Sequence, residues 1–189
     1  MPAWRSHVVG WKVASLVVRG VFPGSFSPPT VAHLHIAAAA KRQHGLTHVE
    51  FVLSESALAK PTHDRPSATE RCRFLNDLIS PVSWLSARVT KLQLLVDIAE
   101  GFDLLILGAD KWHQIQDPVF YSNSIERRDE ALSRLPRVAL APRSGWDSPA
   151  EVQLLLPESL AQISSTQVRA GAVHLAATET TVQELLNEQ

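Results

Sequence analysis

"VFPGSFSPPTVAHLHIAAAA", residues 21–40, holds the join on which the reading of the chain turns. An apolar, β-prone run ends in Pro23-Gly24-Ser25. Pro28 and Pro29 then keep the chain extended, and Thr30 is a good helix N-cap. His33 follows in the first turn, on the same helical face as Thr30. An alanine-rich stretch continues to Gly45, a natural helix stop. A buried strand that turns directly into a helix is the building unit of a parallel α/β sheet.

The same alternation extends outward. Residues 16–22, 48–54, 102–108, 137–142 and 151–157 read as strands, and 82–89 as strand-like or irregular. Helices are predicted over 67–80, with Ser67 and Glu70 as a capping box, and over 90–101 and 124–135. Shorter helices are expected from 164 and from 180. The strands are continuously apolar rather than alternating, so both faces of the sheet must be covered. The expected fold is a doubly wound, Rossmann-like parallel sheet with helices on both faces. One domain is expected over 1–189, with 1–15 a leader into the first strand and 172–189 a short helical tail.

Composition narrows the function classes. The 189 residues are 45% hydrophobic and 20% charged, with a net charge of −1. That balance argues against holding nucleic acid or an anionic membrane by bulk electrostatics. No apolar run approaches the ~20 residues of a membrane span. Cys72 is the sole cysteine, which rules out an internal disulfide or a thiolate cluster. A reducing, cytoplasmic location is the expectation. No histidine pair has metal-ligand spacing: His33 and His35 point different ways, and Gly45 separates His44 from His48. No protein-held metal is therefore expected.

In an open parallel sheet, ligands bind beyond the carboxyl ends of the strands. Gly24 and Ser25 follow the first strand, Asp110 follows 102–108, and Arg143 follows 137–142. Ser164, Ser165 and Thr166 fall on the same edge. The free N–H groups and dipole at the helix start near Thr30 and His33 favour an anion, and Gly24 and Ser25 allow the backbone to approach it. A capped helix with an incidental histidine stays open as the plain alternative. "ISSTQVR" (163–169) repeats the theme: Ser164 and Gln167 have capping-box spacing, and Arg169 shares a face with Ser165. Hydroxyls and a guanidinium at a helix start suit a polyphosphate. Asp110 fits either a ribose or a helix cap. Trp112 fits either a stacked ring or core packing.

These residues carry a resemblance. "GSFSPPTVAH" (24–33) resembles the first signature of the adenylyl- and cytidylyltransferase superfamily, and "ISSTQVR" resembles its second. "LGAD" (107–110) resembles the Gly-x-Asp before its variable substrate region. The likeness runs from about Leu16 to Gly171 and is nearest to nicotinamide or nicotinate mononucleotide adenylyltransferases. It implies transfer of AMP from ATP to the phosphate of a small-molecule acceptor, with release of pyrophosphate and no covalent enzyme intermediate. It implies that His33 donates to the α-phosphate with Thr30 assisting, and that Gly24, Ser25 and Phe26 supply backbone contacts near the phosphates. Ser164, Ser165, Thr166 and Arg169 would hold the tail of ATP, and Gly108 and Asp110 the adenosine. Mg²⁺ would ride mainly on ATP oxygens. Lys60, Arg71, Trp112 and Arg143 are the candidate acceptor-binding residues. Ala32 and Ser27 depart from the pattern, which has glycine and Asp or Asn there. Three alternatives remain: a phosphopantetheine or other phosphometabolite adenylyltransferase, a nucleotide-binding protein without turnover, and a dinucleotide-dependent oxidoreductase. The last lacks a Gly-x-Gly-x-x-Gly turn. Self-association is left open.

Overall fold

The structure is a computed structural model and describes residues 17–55 and 66–187. The leader 1–15 and Lys60 lie outside the described residues. Five strands form one wholly parallel sheet: β1 (Arg19–Pro23), β2 (His48–Ser54), β3 (Leu85–Thr90), β4 (Leu104–Gly108) and β5 (Arg137–Ala141). Their order is β3-β2-β1-β4-β5, so the chain reverses direction across the sheet between β1 and β4. That reversal opens a crevice at the carboxyl ends of the central strands.

Helices α1 (Val31–His44), α2 (Ala68–Ile79), α3 (Leu95–Ile98), α4 (Ala109–Ile115), α5 (Ile125–Ser133), α6 (Ser165–Arg169) and α7 (Glu179–Asn187) cover the sheet. One face packs Phe22, Phe51, Leu104 and Ile106 against the alanine-rich α1, α2 and α7. The other packs Val21, Val52, Leu105 and Leu107 beneath α3 and α4. The alanines of α1 let this helix lie close on the sheet: Ala37 and Ala39 are fully buried. Gly20 serves the same closeness on β1, where an added Cβ would stand 2.6 Å from Leu46. Cys72 is buried, and burial pushes its thiol up, so it stays an unreactive core residue. Ile106, fully buried at the sheet centre, is expected to cost about 2–5 kcal/mol of stability as Ile106→Ala in denaturant unfolding.

Two predicted elements differ. Residues 151–157 do not form a strand: they make a 3-10 turn at Ala150–Val152 and join β5 through a single bridge between Gln153 and Leu140. Pro149 and Pro157 bracket the segment, and within it Leu154 is buried while Leu155 is 81% exposed. The apolar run thus wraps the sheet edge and does not extend it. The predicted helix 90–101 shrinks to Leu95–Ile98 because β3 runs on to Thr90 and the Ser54 hydroxyl donates to the Leu92 carbonyl at 2.7 Å. Helix α4 and a 3-10 turn at Pro118–Tyr121 were not expected from the sequence.

Candidate active site

The first turn, residues 24–29, is gripped from three sides. Arg71 of α2 donates to the Ser25 carbonyl, Arg169 of α6 to the Ser27 carbonyl, and Ser165 to the Pro28 carbonyl at 2.8 Å. Beneath the turn, Phe26 is buried against Phe22 and Phe51, with ring centroids 5.7 and 4.8 Å away. Its backbone carries a positive φ of 42°, a conformation that costs a non-glycine residue of order 1 kcal/mol or more and persists only under such packing. Gly24 lies on this ring: a Cβ there would stand 2.8 Å from it. Glycine is thus required at this position by close approach.

At the head of α1, Thr30 is the N-cap, in extended backbone. Its N–H donates to His33 Nδ1 at 2.9 Å, and its hydroxyl lies 2.8 Å from the same nitrogen. Because Nδ1 accepts from a backbone N–H, the ring proton sits on Nε2, which becomes the donor. The ring packs on Phe26 at 5.0 Å and keeps one edge on the cleft. Burial and then the nearby Arg143 guanidinium lower the His33 pKa from 6.5 to about 3. The free protein therefore presents a neutral imidazole.

This has a consequence for stability. The folded pKa lies below the unfolded one, so the unfolded chain takes up the proton first as pH falls. The stabilisation is present above pH 6.5 and is lost as pH falls from 6.5 toward 3. At most about 1.4 kcal/mol per pH unit is at stake from this group. The steeper loss between pH 6.5 and 5 is expected to vanish in His33→Gln, measured by urea unfolding at each pH.

Three further elements complete the cleft. Gly108 caps α4 in extended backbone, and a Cβ there would stand 2.4 Å from Asp110 and 3.3 Å from Arg143. Arg143, just after β5, lies 3.7 Å from Asp110 and donates to the Ile163 carbonyl, so it ties β5 to the start of α6. On α6, Ser164 Oγ accepts from Gln167 N–H and Gln167 Oε1 from Ser164 N–H, the expected capping box. Arg169 also donates to the Thr166 hydroxyl at 2.9 Å.

The cleft measures about 1110 Å³, room for more than one small molecule. Its wall brings together Gly24, Ser25, His33, Gly108, Asp110, Arg143, Ser164, Ser165, Thr166 and Arg169, with Arg71 on the α2 side. Three predicted residues lie off the wall. Thr30 is fully buried and reaches the cleft only through His33. Phe26 is buried below Gly24. Trp112, on α4, is partly buried against the core cluster of Val21, Leu105 and Ile115. Ala32 is also buried, so its methyl does not enter the cleft. Sequence reasoning missed Lys111, Gln114 and Trp146, which line the cleft together with Glu55, a residue the sequence offered only to the oxidoreductase alternative. Trp146 stands 49% exposed, its ring 5.3 Å from His113, which also bonds the Asp147 carbonyl at 2.7 Å. Only the position of Lys111 beside Asp110 gave a sequence signal. On the wall Arg71, Lys111, Arg143 and Arg169 face Glu55 and Asp110. The cleft is thus locally basic in a chain of net charge −1, which suits a polyphosphate. Among the described residues no group of three or more His, Cys, Asp or Glu could hold a metal ion, and no helix is long and apolar enough to cross a membrane.

A Rossmann-like sheet with an anion-seeking cleft at its switch point defines a nucleotide-handling α/β protein. The chain belongs to the cytidylyltransferase-like family, whose model matches residues 21–171, and it is a nucleotidyltransferase. It is 27% identical over 169 residues to a probable nicotinate-nucleotide adenylyltransferase of Salinibacter ruber, covering 80% of this chain and 83% of the relative. Its fold is similar to that of Plasmodium falciparum nicotinic acid mononucleotide adenylyltransferase. In complex with NaAD, that structure gives a TM-score of 0.54 at 12% identity, covering 90% of this chain and 95% of the other. In complex with APC it gives a TM-score of 0.57 at 11% identity, covering 90% and 94%.

Proposed function

We propose that the chain is a single-domain cytoplasmic adenylyltransferase that moves AMP from ATP to the phosphate of nicotinate or nicotinamide mononucleotide, giving a dinucleotide. The observation that carries this reading is the Thr30–His33 pair. It holds a neutral imidazole with Nε2–H toward the cleft, beside the first turn that Arg169 and Ser165 reach from α6.

In this reading an acceptor phosphate oxygen attacks the α-phosphorus of ATP. A new P–O–P bond forms, the bond to the β-phosphate bridging oxygen breaks, and pyrophosphate leaves with that electron pair. The chain supplies position and charge, not a covalent partner. His33 Nε2–H donates to the α-phosphate as negative charge gathers there, and the approaching phosphates raise the basicity of the ring from its low free-protein value. Thr30 is a positioning residue, since it acts through Nδ1. Ser165, Thr166 and Arg169 hold the β- and γ-phosphates. Gly24 and Ser25 allow the backbone to lie against the chain of phosphates. Gly108 and Asp110 receive the adenosine, with Arg143 balancing Asp110. Arg71 faces the acceptor side.

The donor set also fits Mg²⁺ as a nucleotide-borne ion. Among the described residues the cleft carboxylates are Glu55 and the Arg143-paired Asp110, too few for a protein cage, whereas this ion is commonly held by phosphate oxygens and water. It would supply charge neutralisation on the phosphates.

The test is pyrophosphate release from Mg-ATP with nicotinate mononucleotide, nicotinamide mononucleotide or phosphopantetheine. Release with a mononucleotide supports the reading. Release with phosphopantetheine alone replaces the acceptor. ATP binding with silence across all three removes the mononucleotide reading in favour of another phosphorylated acceptor or of nucleotide binding without turnover.

A further inference from the structure

The cleft has a second charged corner that the phosphate-seeking residues do not use. Lys111 lies on the cleft wall in the first turn of α4, half-buried, with Gln114 and Ile115 on the same helical face. Its ammonium donates to Gln114 Oε1. Among the described residues no carboxylate pairs with it, while its neighbour Asp110 sits against Arg143. An ammonium has three donors, and a neutral amide satisfies one. Ile115, four residues on and on the same helical face, also lines the cleft, as do Phe120 and Leu95. Tyr121 closes it from behind, its hydroxyl spent on the Ile115 carbonyl at 2.9 Å.

We propose that Lys111 is a specificity-determining residue, which selects an acceptor whose aromatic ring carries a carboxylate over one that carries a carboxamide. The inference rests on the mononucleotide reading above and deepens it. A half-buried cation with spare donors, on a helical face it shares with Ile115, matches an aromatic acid: the charge meets the carboxylate and the apolar side chain the ring. A carboxylate gains a charge-assisted bond there. A carboxamide offers only a neutral oxygen and brings N–H donors that meet an ammonium with no acceptor left. A phosphate is the weaker match. The groups suited to phosphates gather at the heads of α1 and α6, where Arg169 and Ser165 hold the first turn. Lys111 instead sits on α4, on the face that carries Gln114 and Ile115.

The experiment separates this claim from turnover by reading binding. Wild type, Lys111→Met and Lys111→Arg are titrated calorimetrically with nicotinate mononucleotide and with nicotinamide mononucleotide. Wild type is expected to bind the nicotinate form roughly 10- to 100-fold tighter, the range of one charged hydrogen bond. Lys111→Met is expected to lose that preference through the nicotinate form alone, with nicotinamide affinity unchanged, and Lys111→Arg to keep most of it. Equal binding of both forms by wild type, binding of neither, an unchanged preference in Lys111→Met, or an equal loss for both forms overturns the proposal. Preference without pyrophosphate release upholds Lys111 and overturns the transferase. Release with equal binding does the reverse.

Discussion

His33→Ala is expected to lower kcat by about 100- to 1000-fold while leaving the fold and ATP affinity nearly intact. The magnitude is that of removing one preorganised donor from a site where transition-state charge gathers, about 2.7–4 kcal/mol. The geometry sets the direction. Nδ1 is occupied by the Thr30 N–H at 2.9 Å, so Nε2 must be the donor, and the low pKa keeps it neutral and fully protonated at Nε2 across the working pH range. A neutral donor contributes most when charge develops on its partner, so the loss falls on kcat more than on KM. Single-turnover rates and ATP titrations check the split. A kcat within threefold of wild type would remove His33 from the chemistry. A companion change, Thr30→Val, retains the backbone N–H but deletes the hydroxyl at 2.8 Å. A smaller loss of about tenfold is expected there, from a less well held ring.

Arg169→Ala is expected to act on ATP binding and turnover together, with kcat/KM for ATP falling about 100-fold. Two losses combine. The guanidinium is anchored on the Ser27 carbonyl and the Thr166 hydroxyl, so its removal loosens the first turn at the place where Ser165 also bonds it. It also deletes one of the four cations that the described residues place on the cleft wall, and charged hydrogen bonds are worth about 1.5–3 kcal/mol each. Arg169→Lys keeps the charge but not the fork. It is expected to recover affinity in part and to leave kcat low, because a point charge cannot hold the Ser27 carbonyl, Thr166 and a phosphate in one plane. Steady-state kinetics with ATP varied, alongside thermal melts, reads both terms. An unchanged KM for ATP in Arg169→Ala would place the polyphosphate elsewhere.

The parts of the fold legible in the sequence are those decided locally. Ser67 with Glu70 and Ser164 with Gln167 form their capping boxes as spaced, because each is a short-range exchange of hydrogen bonds between neighbours. The join at Pro23–Thr30 is of the same kind. The buried strand 102–108 was legible from its unbroken apolar run, and β4 occupies Leu104–Gly108 within it. Residues 151–157 misled because an apolar run also suits a strap across a sheet edge, and periodicity does not separate the two. The cleft was legible as an edge, not as a set of contacts. Arg71 reaches Ser25 from α2 and Arg169 reaches Ser27 from α6, and such pairs, far apart in the chain, depend on how whole helices dock. The same limit hid Lys111: its place beside Asp110 put it near the sheet edge, but helix α4 itself was not expected, so the side facing the cleft could not be read. Trp112, two residues past Asp110, fitted core packing or a stacked ring by its sequence, and it packs on the core.

The most direct test of adenylyl transfer follows the α-phosphate itself. Mg-ATP labelled at the α-position is incubated with the protein and nicotinate mononucleotide, and the products are separated. The account predicts label in a dinucleotide, pyrophosphate released in equal amount, and both products formed about 100- to 1000-fold more slowly with His33→Ala. Label that stays in ATP although ATP is bound, or that passes to free AMP whether or not acceptor is added, would contradict it.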